Sequence, residues 1–281
     1  MTTDRQDSTT PAGGSGLAAL REREWRHVLW EVSESGVFAI TLNRPERLNA
    51  LNFRMLREMH QLINYAHGAM DVRAITLRGT GTRAFCSGDD LKGMEPEPDI
   101  DNSRTVHHQL IAAIREIPKP VVALVHGFAL GHGFELACAC DLRLCADNIE
   151  VGDHRVTRAL PLNGGSSWFL PRIIGSGRAA ELLLTGRHMN GDEALAWGWA
   201  NHVWSMDEFD ERAGEYVALL ARLPTSNLAV FKSSLAYSAG HGLGDSLNHE
   251  LKVSDAGMVT EDATEGRRSF LEKRDPVFRG F

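Results

Sequence analysis

Short apolar runs and longer helical stretches alternate along most of this 281-residue chain. From Val28 the runs VLWEV and VFAITL are each of strand length, and the turn-forming residues Ser33 to Gly36 between them predict a β-hairpin. Asn49 to Gly68 then places Leu51, Met55, Leu56, Met59, Ile63 and Ala66 at helical spacing, followed by the β-rich run AITLRG at Ala74 to Gly79. That is one strand, strand, helix, strand unit. A second helix over Thr105 to Glu116 precedes the proline-bounded strand VVALVHG, another helix starts near Gly131 to Gly133, and DLRLCAD repeats the strand. The alternation predicts an α/β fold with a mainly parallel, helix-covered sheet. After Trp204 the periodicity is helical, over Asp207 to Leu223, Asn227 to Ala239, Asp245 to Val253 and Ala263 to Lys273. Residues 1–22 are polar and rich in Gly, Thr and Ser, too poor in apolar surface to offset the entropy of ordering, and predict a mobile tail. The expected organisation is a tail over 1–22, an α/β core over 23–205 and a C-terminal helical subdomain over 206–281.

Composition narrows the classes. Apolar residues make up 43% of the chain, enough for a real core. A net charge of −7 and a pI near 5.9 argue against a nucleic-acid or anionic-membrane surface. No apolar stretch reaches the roughly 18 residues of a membrane span, and the N-terminus lacks a signal-peptide pattern, so the cytosol is the expected compartment. Cys86, Cys138, Cys140 and Cys145 form no C-x-x-C pair, and three of them lie in one apolar stretch, which points to buried thiols and away from zinc or disulfides.

Two glycine-containing turns follow predicted strands, AFCSGDDL at Ala84 to Leu91 and VHGFALGHGFELACACD at Val125 to Asp141. Glycine lets a backbone approach a ligand closely, and an N–H outside the strand ladder is a free donor. Two such donors on one oxygen make an oxyanion hole. The helix beginning near Gly131 to Gly133 points its unsatisfied N–H groups and positive dipole end outward, with Glu135 in its first turn as a candidate acid/base. Each feature also has a structural reading, since glycine turns shape connections and a first-turn glutamate complements the helix dipole.

Five segments in order carry a more specific signal: ITLNRPERLNALN (Ile40 to Asn52), RAFCSGDDLKGM (Arg83 to Met94), HGFALGHGFELACACDLRLCAD (His126 to Asp147), LLLTGRHMNGDEALAWGWANHV (Leu182 to Val203) and TEDATEGRRSFLEKRDPVFRG (Thr260 to Gly280). Together they resemble the enoyl-CoA hydratase/isomerase (crotonase) superfamily over about Trp25 to Gly280. The resemblance implies a crotonase (ClpP-like) spiral of ββα units with a C-terminal helical subdomain that mediates trimerisation. It also implies an acyl-CoA substrate with no permanently bound cofactor, and an oxyanion hole made by the N–H groups of Asp89 and His132. Glu135 matches the first of the hydratases' two catalytic glutamates. The loop around Arg47, Leu48 and Ala50 and the backbone near Ser87, Gly88 and Asp89 would hold CoA beside Gly133. Arg47 and Lys92 are candidate phosphate contacts, although surface cations need no such role. Lys273 matches a C-terminal region that approaches CoA in relatives.

The sequence departs from the pattern in VGDHRVTRALPLNGG, where Arg155 stands in the place of the second catalytic glutamate. A guanidinium stays protonated and cannot exchange that proton. Asp153 and His154 are the candidate substitutes, against the alternative that D-H-R is a solvated polar turn. Asp89 replaces a small or apolar residue and His132 a glycine, changes that leave the backbone donors in place; the Asp89 carboxylate is expected to point away from the hole or take a partner. The leading expectation is hydration or double-bond isomerisation of an enoyl-CoA through an enolate-like intermediate. A C–C bond hydrolase or decarboxylase acting on a β-dicarbonyl, and a degenerate CoA-binding homologue, are the alternatives. The family also implies a homotrimer or homohexamer.

Overall fold

The computed structural model describes residues 13–92 and 105–280. Residues 1–12 of the expected tail, and Gly93 and Met94 of the second motif, lie outside the described residues. The expected tail is contradicted over its second half. Gly13–Arg21 is a helix, α1, whose Leu20 is buried in the main core and whose Leu20 carbonyl accepts the Trp25 indole N–H at 2.8 Å.

The hairpin strands β1 (Val28–Val32) and β2 (Val37–Leu42) pair antiparallel, as the turn at Ser33 to Gly36 predicts. Helix α2 (Phe53–Gly68) leads to β3 (Ala74–Gly79), parallel to β2. Strand β4 (Ala84–Cys86) and helix α3 (Thr105–Glu116) come next, then β5 (Val121–Val125), parallel to β3. After β6 (Phe128–Leu130) and α4 (His132–Ala139), β7 (Leu142–Ala146) lies parallel to β5. The chain continues through β8 (Glu150–Gly152), α5 (Ser166–Ile174), α6 (Ser176–Thr185), β9 (Met189–Asn190), α7 (Gly191–Ala196) and β10 (His202–Trp204). Helices α8 (Met206–Arg222), α9 (Thr225–Ser238), α10 (Leu243–Met258) and α11 (Glu261–Glu272) complete it.

Two sheets result, a six-stranded one ordered β1-β2-β3-β5-β7-β10 and a four-stranded one ordered β4-β6-β8-β9. The large sheet is the mainly parallel one expected. Its period-two alternation divides the core: Val121, Ala123 and Val125 face the main cluster with α2, α3 and α4, whereas Val122, Leu144 and Ala146 meet Phe209, Ala213 and Val217 of α8. The small sheet is a finding. Its strands run two or three residues, too short for alternation to show in sequence.

The predicted start of α2 at Asn49 is corrected to Phe53 because Leu48 and Asn49 adopt left-handed φ values of 52° and 54°. Asn52 caps the helix, accepting the Met55 N–H at 2.9 Å. Asn49 is wholly buried and acts as a latch. Its Oδ1 accepts the Arg44 N–H at 3.0 Å, and its Nδ2 donates to the carbonyls of Thr80 and Ala84 at 3.0 and 2.8 Å. Arg44 adds bonds to the Ala50 carbonyl (2.7 Å) and the Asp90 carboxylate (2.6 Å), so the loop before α2 is clamped to the loop after β4. The C-terminal helices dock through Lys232 of α9, whose ammonium meets the Asp141 carboxylate at 2.7 Å and the Ile114 and Lys119 carbonyls. Asn49→Ala leaves three backbone groups, one buried and two half-buried, without their partner, and its unfolding free energy, measured by urea titration of tryptophan fluorescence, should fall by about 2–4 kcal/mol.

Candidate active site

The two glycine turns meet. Gly88 has φ 99° and Gly131 φ 53°, conformations open to glycine, and a Cβ added at Gly88 would lie 2.9 Å from the Leu130 carbonyl oxygen. At Gly133 a Cβ would come within 2.3 Å of the Cys86 carbonyl oxygen. Small residues are therefore what let the β4 and α4 turns touch. The flanking donors are used, Asp90 N–H on Leu51 at 2.8 Å and Gly131 N–H on Gly152 at 3.0 Å. Among the described residues the N–H groups of Asp89 and of His132, the first residue of α4, donate to no backbone acceptor. Both residues border a cavity of about 360 Å³, together with Phe53, Leu56, His107 and Arg155.

Directly behind His107 and His132 lies Glu135, without solvent exposure. Its two oxygens have different partners. Oε1 takes the Arg155 guanidinium at 2.6 Å, the Ser166 hydroxyl at 3.1 Å and the Ser166 N–H at 3.3 Å. Oε2 has no hydrogen bond and faces His132 Nε2 at 3.5 Å and His107 Nε2 at 3.7 Å. Gly164 makes this space, since a Cβ there would sit 2.2 Å from Oε2 and 2.5 Å from His107 Nε2. Burial alone would raise the pKa of Glu135, but the facing imidazole of His107, the Arg155 guanidinium and His132 outweigh it and lower the value from 4.5 to about 2. Burial in turn lowers the pKa of His107, against the pull of Glu135.

The substitutes expected for the missing glutamate fall differently. Asp153 is buried and committed, gripped by the Nε and Nη2 of Arg155 and by the Ser166 hydroxyl at 2.9 Å. His154 turns away from the cavity and packs edge-on against His188, with ring centroids 5.5 Å apart. Neither is placed to exchange a proton with a ligand in the cavity, and the D-H-R segment is no solvated turn, because Asp153 and Arg155 are 1% and 7% exposed. Asp89 takes a partner, accepting the His132 Nδ1–H at 2.5 Å.

The residues expected around CoA do come together. The Ser87 N–H donates to the Leu48 carbonyl at 3.0 Å, the Ser87 hydroxyl to the Arg47 carbonyl at 3.4 Å, and the Ala50 N–H to the Arg47 carbonyl at 3.0 Å. The side chains of Arg47 and Lys92 are exposed beside this seam, and Lys273 is exposed at the end of α11.

Sequence reading missed His107, Gly164 and Ser166. His107 shares the inward face of α3 with Val106, Leu110, Ile111 and Ile114, and an imidazole on an otherwise apolar stripe was the available signal. Among the described residues, His107, His132 and Glu135 are the one group that could offer a metal three ligand atoms, all within 4.8 Å. The geometry disfavours a metal. The two imidazoles stack with centroids 4.1 Å apart and planes inclined by 22°, so no nearby point lies in both ring planes, where their lone pairs are directed. Arg155 already occupies Oε1. A shared proton, or an oxygen of water or substrate, suits the trio better.

Fold and site together define an α/β protein that brings two unclaimed backbone donors to one cavity, in front of the buried carboxylate of Glu135. The family model described as enoyl-CoA hydratase/isomerase matches residues 32–280, and the chain belongs to that family. It is 30% identical to the short-chain-enoyl-CoA hydratase of Clostridium acetobutylicum, over 89% of this chain and 97% of that one. It is 31% identical to the 1,2-epoxyphenylacetyl-CoA isomerase of Escherichia coli, over 88% and 96%. Among solved structures, an enoyl-CoA hydratase from Bacillus anthracis superposes with a TM-score of 0.86 at 29% identity, covering 91% of this chain and all of that one. The expected crotonase fold is thus the fold observed.

Arg155 is the counter-charge for two buried carboxylates, which gives its removal a pH signature. Because the folded pKa of Glu135 is depressed, its ionised form contributes stability that is present above 4.5 and lost as pH falls through about 2. Arg155→Leu should cost about 3–5 kcal/mol near neutral pH. The deficit should shrink as pH drops toward about 4, where the unpaired carboxylates take up protons; denaturant titrations of both proteins across pH measure it.

Proposed function

We propose that this protein is an acyl-CoA enzyme that polarises a thioester carbonyl and moves protons on the adjoining carbons, in hydration or double-bond isomerisation of an enoyl-CoA. The observation that carries this reading is the pairing of the unclaimed Asp89 and His132 N–H groups at one cavity with the free Oε2 of Glu135 directly behind its His107 and His132 wall. In it, the thioester oxygen sits between the two donors, which stabilise the negative charge that develops when a Cα proton leaves or a nucleophile adds at Cβ. Glu135, ionised and anchored through Oε1, serves as acid/base through Oε2.

The nucleotide and pantetheine of CoA lie along the seam between Arg47 to Ala50 and Ser87 to Asp89, with Arg47 and Lys92 near phosphate. The named activity of the Clostridium hydratase supports hydration of an enoyl-CoA, and that of the Escherichia enzyme, whose named substrate is an epoxide, supports isomerisation of an acyl-CoA in the broader sense. Commitment of Asp153 and the position of His154 lend no support to a C–C hydrolase that uses either to activate water. We also propose a trimer or a pair of trimers. Exposed apolar side chains along α9 and α10, among them Phe231, Leu235 and Leu251, support burial of that face against a second copy.

With a panel of 2-enoyl- and 3-enoyl-CoA thioesters, the wild type should turn over at least one, and Glu135→Gln should lower kcat by roughly 10²–10⁴-fold with little change in KM. Wild-type kinetics in Glu135→Gln would remove the proposed base.

A further inference from the structure

We infer that the imidazole of His132, held by Asp89, is the second acid/base of the site and takes the part that Arg155 cannot. The inference rests on the acyl-CoA reading above. Elimination narrows the choice first. Arg155 is engaged by Asp153 and Glu135 through Nε and Nη2, and its guanidinium keeps its proton; Asp153 is held by Arg155 and Ser166; His154 packs on His188 away from the cavity. Asp89, His107 and His132 remain at the cavity wall.

Geometry then separates these three. Both ring nitrogens of His107 lack a hydrogen-bond partner, so nothing fixes its tautomer. Asp89 Oδ1 is taken as the acceptor for His132 Nδ1–H, which ties this carboxylate to the imidazole. His132 has a carboxylate at each end of its ring, Asp89 at Nδ1 (2.5 Å) and Glu135 Oε2 facing Nε2 (3.5 Å), and one face stacked on His107. A carboxylate on Nδ1 fixes the tautomer and the orientation of the ring. With Nδ1–H given to Asp89, Nε2 and Oε2 confront each other as two basic atoms, an arrangement relieved by one proton shared between them.

That shared proton closes a cycle. In hydration, the oxygen of water bonds to Cβ as one of its protons passes to Glu135 Oε2. The electron pair of the C=C bond moves into the enolate held by the two N–H groups. Cα then takes a proton from His132 Nε2, the enolate collapses to the thioester, and Glu135 returns its proton to Nε2 across the 3.5 Å contact. In isomerisation the same pair removes a proton at one carbon and supplies one at the other. Neither cycle needs a further reactant.

His132→Ala and His132→Gln keep the backbone N–H, so their losses report the imidazole. Both should lower kcat on an enoyl-CoA by roughly 10²–10⁴-fold while KM moves less than about threefold, and free imidazole should restore His132→Ala at least about tenfold. Glu135→Gln should stay inactive with imidazole. His132→Pro is acceptable at the first position of a helix and removes the N–H as well, so it should be slower than His132→Ala by a further roughly 10²-fold and resist rescue. Wild-type kcat in His132→Ala, or a loss that imidazole does not relieve, overturns the role of the imidazole. His132→Pro no slower than His132→Ala overturns the N–H donor instead and leaves the imidazole standing. A wild type without turnover on the whole panel overturns both.

Discussion

A carboxylate without solvent exposure is the constraint around which this molecule is arranged. Ionised Glu135 would cost several kcal/mol in an apolar interior, and it is tolerated because Arg155, Ser166 and two imidazoles surround it. Arg155 in turn is acceptable at 7% exposure because Asp153 grips it from the other side. The result is a chain of charges, Asp153, Arg155, Glu135, in which every member depends on the next. Holding one oxygen of Glu135 in this chain orients the other toward the histidines, which couples the stability of the interior to the direction of a reactive lone pair.

The second constraint is steric and concerns backbone. The β4 and α4 turns come into contact only where Gly88, Gly131 and Gly133 leave out side chains, and Gly164 clears the space beside Glu135 Oε2 in the same way. Donors provided by backbone are indifferent to the side chain attached to them. That indifference is what allows Asp89 and His132 to occupy these positions and form a hydrogen-bonded pair of their own without disturbing the N–H groups. A site that works through two backbone donors, as proposed for this protein, can in this way vary the side chains around them and change which group handles the protons.

Much of this was legible in the sequence, for identifiable reasons. Long periodic segments such as Thr105 to Glu116 and AITLRG declare themselves because burial of one face leaves a regular record, and Glu135 and the two turns were visible as glycine spacing at strand ends. Other features depend on partners distant in the chain. Residues 13–21 look too polar to order, yet Leu20 finds the main core and Trp25 secures its carbonyl. Asn49 interrupts the expected helix because its side chain serves three backbone groups, one in its own loop and two in the distant stretch from Thr80 to Ala84. Arg155 was readable as a departure, but its meaning was not: only the fold shows Asp153 consumed by it, His154 turned outward, and His107 brought from α3 to stack on His132.

The central claim is that backbone donors and a buried acid/base act together on the carbons next to a thioester carbonyl. It is tested most directly by exchange of solvent deuterium into a saturated acyl-CoA, followed by NMR, because exchange needs carbonyl polarisation and proton transfer but no net reaction. Wild-type protein should catalyse exchange at Cα of butyryl-CoA and leave the more distant methyl protons untouched. Tight binding of the thioester with no Cα exchange above the uncatalysed rate would contradict the account.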